Sequence, residues 1–143
     1  MIFDPETPKG AHALERLGTS MAAWLTTVSP EGQPQSMPVW FTWDGTEIVV
    51  YGDHRAKRNA NLAVHDKVGF HLPDNGNGQD IVVVEGVARV DPAYPGVPDN
   101  AAYLAKYGRW IDGMGGPATF AETYNVPMSQ LGKKSGFGRP QLA

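Results

Sequence analysis

Arg55, Lys57 and Arg58 place three of the chain's twelve Lys and Arg side chains within four positions, in a protein of 143 residues whose formal net charge is -3. They open the segment Asp53–Val64, which reads as a helix following Gly52. Cations are unfavourable in the first turn of a helix, because the macrodipole is positive there. An anion resting on that helix start reverses the penalty. Phosphate is the natural one, since free backbone N–H groups and basic side chains both converge on it. A solvated basic turn, softened by Asp53 as N-cap, would carry the same residues.

A second stretch, Ser36-Met37-Pro38-Val39-Trp40, interrupts a strand pattern with proline. Proline cannot donate a ladder hydrogen bond, so it implies a bulge, a break or an edge strand. Beside a break, backbone N–H and C=O groups are free to meet a planar heterocycle with polar edges. Trp24, Trp40, Trp43, Trp110, Tyr51, Tyr103, Tyr107 and Tyr124 supply ring surface. Most are expected in the core or an interface, with one or two beside a ring-shaped ligand.

Other chemistries find little support. The four histidines, His12, His54, His65 and His71, lack metal-ligand spacing, and only His54 falls near the basic segment. There is no G-x-S-x-G elbow. Gly113-Met114-Gly115-Gly116-Pro117 matches neither a P-loop nor a dinucleotide fingerprint, and reads as a mobile loop over a pocket. No cysteine is present, which removes disulfides, iron–sulfur clusters and thiol nucleophiles and fits a cytoplasmic protein. The acidic balance argues against a nucleic-acid partner. No apolar run is long enough to span a membrane.

These residues need a scaffold. Thr7-Pro8 starts a helix over 8–18. Strands are expected over 21–28, 33–43 and 46–51, joined by Ser29-Pro30-Glu31-Gly32 and by Asp44-Gly45, the strongest hairpin signal in the chain. They predict a three-stranded antiparallel meander. After the 53–64 helix come strands over 68–72 and 80–90, the latter with Ile81-Val82-Val83-Val84 at its heart. Its continuous apolar run predicts burial on both faces. A loop spans 92–98, a helix runs from Asp99 or Asn100 to Tyr107, a glycine-rich segment covers 109–116, and a short helix covers 117–124. A last strand is expected over 126–131. The fold class is therefore mainly β with a few short flanking helices (α+β), one domain over 1–143. Residues 1–7 and 133–143 are expected to be flexible. A barrel would close the exposed edges that a small sheet must manage.

The order and spacing of Ala23-Trp24-Leu25-Thr26-Thr27-Val28, Glu31-Gly32-Gln33-Pro34, Met37-Pro38-Val39-Trp40-Phe41, Asp44-Gly45, Arg55-Ala56-Lys57-Arg58-Asn59 and Leu62 resemble the pyridoxamine 5′-phosphate oxidase-like split β-barrel proteins. Within them, the flavin/deazaflavin oxidoreductases that use coenzyme F420 are the nearest match. Val84-Glu85-Gly86-Val87-Ala88 and Tyr103-Leu104-Ala105-Lys106-Tyr107 also look like this subgroup. The resemblance covers about residues 10–127. It implies an antiparallel split barrel that forms a homodimer, with F420 or, alternatively, FMN in grooves between the subunits. Arg55 and Lys57 would hold the cofactor phosphate, with Arg58 nearby. Met37, Pro38, Val39 and Trp40 would line the ring through backbone contacts. Tyr51, Gly52 and Asp53 would close the site beside the phosphate, and Asn61 would face the same groove. The implied activity is hydride transfer between the deazaflavin and a small conjugated substrate. An FMN-binding oxidase, or a protein that stores or sequesters a cofactor, would share the fold. The final segment, Val126–Lys134, departs from the resemblance by being poorly β-forming.

Overall fold

Turn and cap chemistry sets the element boundaries in the computed structural model, which describes residues 3–131 and 141–142. Helix α1 (Pro8–Thr19) begins where the Thr7 hydroxyl accepts a hydrogen bond from the Gly10 N–H and Pro8 fills the first position. Strands β1 (Ala23–Val28), β2 (Pro34–Val39), β3 (Thr42–Trp43) and β4 (Glu47–Asp53) follow, then α2 (Lys57–Val64), β5 (Lys67–His71) and β6 (Val82–Val90). A short 3-10 turn (Val97–Asp99) leads into α3 (Ala101–Gly113), α4 (Pro117–Thr123), β7 (Tyr124–Leu131) and β8 (Gln141–Leu142).

The strands form one antiparallel sheet in the order β2-β1-β5-β6-β7-β4-β3, with β8 paired to the start of β6. Its two outermost strands, β2 and β3, are separated only by Trp40 and Phe41. A path whose ends are two residues apart has to curl back on itself. The result is a barrel left split between β2 and β3, the antiparallel α+β architecture expected.

The sheet corrects the expected meander. β1 and β2 do form a hairpin, and β3 pairs with β4 across Asp44-Gly45, but beyond Thr42 and Trp43 β4 pairs with β7 and not with β2. The expected 33–43 strand ends at Val39 and resumes at Thr42. Pro38 sits within β2, which is tolerated because β2 is an edge of the sheet. The two-sided burial expected for β6 belongs instead to β4. In β6 burial alternates, with Val82, Val84, Gly86 and Ala88 inward. In β4, Ile48 and Val50 enter the barrel core with Leu25, Phe41 and Phe70. Val49 and Tyr51 face the other way, into a second cluster with Val97, Tyr103, Tyr107, Ile111 and Phe120. β4 is thus the wall shared by the barrel and a helical layer.

The final segment is a full strand despite Pro127. β7 lies between β4 and β6, with Tyr51 opposite Pro127 and Val90 opposite Met128. Tertiary pairing on both sides overrides the weak local preference. Helix α3 also runs past the expected stop at Tyr107 to Gly113. The glycine-rich turn is confined to 114–116, where Gly115 and Gly116 have φ of 103° and 94°. At the N-terminus Phe3 is buried in the barrel core, while residues 4–7 are exposed. Of the 133–143 tail, 133–140 and 143 lie outside the described residues.

Candidate functional site

Two cavities flank the start of α2. The larger, about 370 Å³, is bordered by Leu25, Thr27, Gln35, Met37, Ala56, Lys57, Arg58 and Asn61. The smaller, about 200 Å³, is aromatic, with Trp40, Tyr51, Tyr103, Phe120 and Tyr124 in its wall. Pro38, Val39, Met114 and Arg58 complete it. Arg58 therefore borders both.

Local sequence explains how Arg58 reaches this position. β4 ends in an irregularity between Gly52 and Asp53. A Cβ on Gly52 would lie 2.9 Å from an Arg58 guanidinium nitrogen, so glycine lets the side chain rest against the strand. The chain then turns, and α2 starts at Lys57 with Ala56 as its N-cap and no side-chain capping bond. Arg58 is half-buried, and burial lowers its pKa below the ordinary guanidinium value. It makes no ion pair or hydrogen bond among the described residues. A desolvated guanidinium that feels Asp53 only at a distance, with no direct ion pair, lies beside an uncapped helix start, an environment that favours an anion. A phosphate-bearing cofactor fits these residues.

The neighbouring cations behave differently. Arg55 lies before the helix, not in its first turn, and Asp53 is the last residue of β4 rather than the N-cap. The Arg55 guanidinium donates to Asp53 at 2.9 Å and 3.1 Å and holds that carboxyl down at about 2. Both border neither cavity. Lys57 borders the larger cavity and is exposed. Asn61, one turn on, borders it too, but its amide is engaged with Thr27 Oγ1 at 2.9 Å and Gln35 Oε1 at 2.8 Å. That bond set fixes α2 onto β1 and β2. His54 bonds the Thr123 carbonyl at 3.3 Å and is exposed, away from both cavities.

The aromatic wall is held from behind. Trp40 stacks on Tyr107 with centroids 4.4 Å apart and planes 1° apart, and lies 5.9 Å from Phe120. The Tyr107 hydroxyl accepts from the Phe41 N–H at 3.0 Å and lies within bonding distance of the Met21 and Phe41 carbonyls. Lys106 donates to the Phe41 carbonyl at 2.8 Å and sits 3.9 Å over the Phe41 ring. Burial draws its pKa down to about 8. Tyr51 donates to the Pro95 carbonyl at 2.6 Å and accepts from Asn100, whose Oδ1 also caps α3.

So Met37, Pro38, Val39, Trp40, Tyr51, Lys57, Arg58 and Asn61 gather around the cavities, with Gly52 directly behind Arg58. Neither Phe120 nor Asn100 was among the site residues expected from the sequence. Phe120 gives no local signal. The Asn100 N-cap was visible, but its bond to Tyr51 depends on a contact 49 residues away.

The sequence pattern of the pyridoxamine 5′-phosphate oxidase family matches residues 11–129. The chain belongs to this family. No curated protein matches it. Among solved structures, an F420 reductase superposes with a TM-score of 0.61 at 24% identity, over 82% of this chain and 90% of that one. A pyridoxamine 5′-phosphate oxidase described as putative, from Listeria innocua, gives 0.62 at 12%, over 85% and 90%. HutZ, a heme storage protein from Vibrio cholerae, gives 0.58 at 16%, over 85% and 87%. At these identities the likeness establishes the shared fold. In this chain Arg58 lies between two cavities, one of which has five aromatic side chains in its wall. No helix among the described residues is long and apolar enough to cross a membrane.

Proposed function

We propose that this chain is an F420-dependent oxidoreductase. The observation that carries the reading is Arg58, desolvated and in no ion pair or hydrogen bond among the described residues where two cavities meet. Family membership and the likeness to an F420 reductase support it. Arg58 and Lys57 hold the anionic chain of the cofactor at the uncapped start of α2. Met37, Pro38, Val39 and Trp40 line its ring, using the backbone groups that the free edge of β2 leaves unpaired. F420, when bound, exchanges a hydride with an electron-poor conjugated compound. The protein binds, orients and excludes water. Its aromatic wall offers flat apolar surface to the acceptor, and the Tyr107 and Lys106 bonds keep Trp40 and Phe41 in place behind it.

We also propose that two copies pair over the β2 edge. Met37 is 61% exposed in the single chain although it borders the larger cavity, and β2 beside it is an edge strand with unpaired backbone groups. A second copy would cover both.

Titration of the purified protein with F420 and with FMN tests the assignment. F420 is expected to bind more tightly. Arg58→Ala is expected to weaken binding at least tenfold, and Lys57→Ala several-fold, by removing charge-assisted contacts of roughly 1.5–3 kcal/mol. Tighter FMN binding would favour an FMN-dependent oxidase on the same site. Unchanged affinity in Arg58→Ala would overturn the placement.

A further inference from the structure

The buried tyrosines around the aromatic cavity differ in one respect. Tyr51 and Tyr107 have hydroxyls fully engaged by the protein, with Pro95 and Asn100 in one case and Phe41 and Met21 in the other. Tyr103 is buried as deeply, at 1% exposure, yet its hydroxyl has no hydrogen-bond partner among the described residues. Its ring is fixed edge-on to Tyr51 at 4.9 Å and tilted against Tyr107 at 4.9 Å, so the phenol cannot swing away to find one. The hydroxyl oxygen itself is not sealed off, since Ser129 Oγ is the one fully buried side-chain polar atom without a partner among the described residues. Tyr103 does border a cavity. Trp40 and Tyr124 border it too without side-chain hydrogen-bond partners, but both are partly exposed and water serves them. The cavity thus contains a flat apolar space with the charged Arg58 guanidinium at its border and, deep in its wall, a neutral donor that lacks an acceptor.

We propose that the Tyr103 hydroxyl donates a hydrogen bond to the carbonyl oxygen of a flat conjugated compound held in the aromatic cavity, and so selects carbonyl-bearing acceptors over hydrocarbons of the same shape. Burial raises the Tyr103 pKa, so the phenol keeps its proton and serves as a donor, not a base. The inference rests on the proposed oxidoreductase reading only for calling this compound the hydride acceptor. The donor role follows from the cavity itself.

The test compares acetophenone with ethylbenzene, which has a similar outline and no carbonyl, by ligand-observed NMR titration of wild type and Tyr103→Phe. The substitution removes only the hydroxyl and preserves the ring packing. Acetophenone is expected to bind wild type and to lose about fivefold in affinity in Tyr103→Phe, while ethylbenzene changes less than twofold. Equal changes for both probes, an unchanged acetophenone affinity, or no acetophenone binding to wild type overturns the proposal. The cofactor titration on the same variant separates the two readings. Failure of both F420 and FMN to bind either protein removes the oxidoreductase assignment and leaves the acetophenone comparison intact.

Discussion

At the scale of single residues, the site depends on which polar groups the fold has already satisfied. Arg55 and Arg58 are the same residue type three positions apart, and only their surroundings separate them. Arg55 is exposed and neutralised by Asp53, whereas Arg58 is desolvated and has no such partner. Lys106 is a second desolvated cation, held by a carbonyl and an aromatic face. Its ammonium loses its proton near pH 8 in the folded protein and at the ordinary value of 10.5 when unfolded. The unfolded chain therefore binds more protons between those values, and stability contributed by this group rises with pH across that window. Below pH 8 both states are protonated and the burial penalty stands in full. Replacing the amine while keeping the stem, as in Lys106→Met, removes this dependence. Thermal melts from pH 7 to pH 10 are expected to show wild type gaining on the variant as pH rises. Parallel curves would show that the ammonium is not desolvated.

At the scale of elements, the start of α2 shows how a stability defect marks a binding place. Ala56 supplies no capping side chain, although Ser, Thr, Asp or Asn there would be worth about 1 kcal/mol. Ala56 also borders the larger cavity, so its small side chain keeps the helix N–H groups open to a ligand. Ala56→Asp is expected to raise stability by about 1 kcal/mol in chemical denaturation. The same carboxylate would occupy the anion position and is expected to weaken cofactor binding at least tenfold, read by titration. A gain in stability with no loss of affinity would place the anion elsewhere. This element also shows what the sequence made legible. The basic run was visible because charges of one sign cluster in an acidic chain. The division of labour within it was not, because the helix begins at Lys57 instead of Asp53, and that start depends on the irregularity at the end of β4.

At the scale of the whole molecule, local patterns identified most strands but not their neighbours. The Asp44-Gly45 turn and the β1–β2 hairpin were legible because their partners are adjacent in sequence. The β4–β7 pairing was not, since it joins Tyr51 to Pro127 and nothing in either segment names the other. That pairing is what turns Val49 and Tyr51 toward α3 and α4 and so creates the aromatic cavity. It explains why Trp40 could be singled out beside its proline while Phe120 could not. The proposed dimer belongs to this scale as well. Sedimentation of wild type is expected to give twice the chain mass, and Met37→Lys is expected to shift it toward the monomer while weakening cofactor binding. A wild type that stays monomeric at every concentration would rule out the pairing.

Trp40 and Phe41 alone span the gap between the two ends of the strand path, so the girth of the barrel and the depth of the aromatic cavity are set by the same two peptide units. One extra residue between Val39 and Thr42 would send the side chains of one flanking strand to the opposite face. This stretch can exchange one side chain for another but cannot change length. Variety in what such a cavity accepts must then come from its roof, where α3, α4 and the turn between them can be recut without disturbing the hoop beneath.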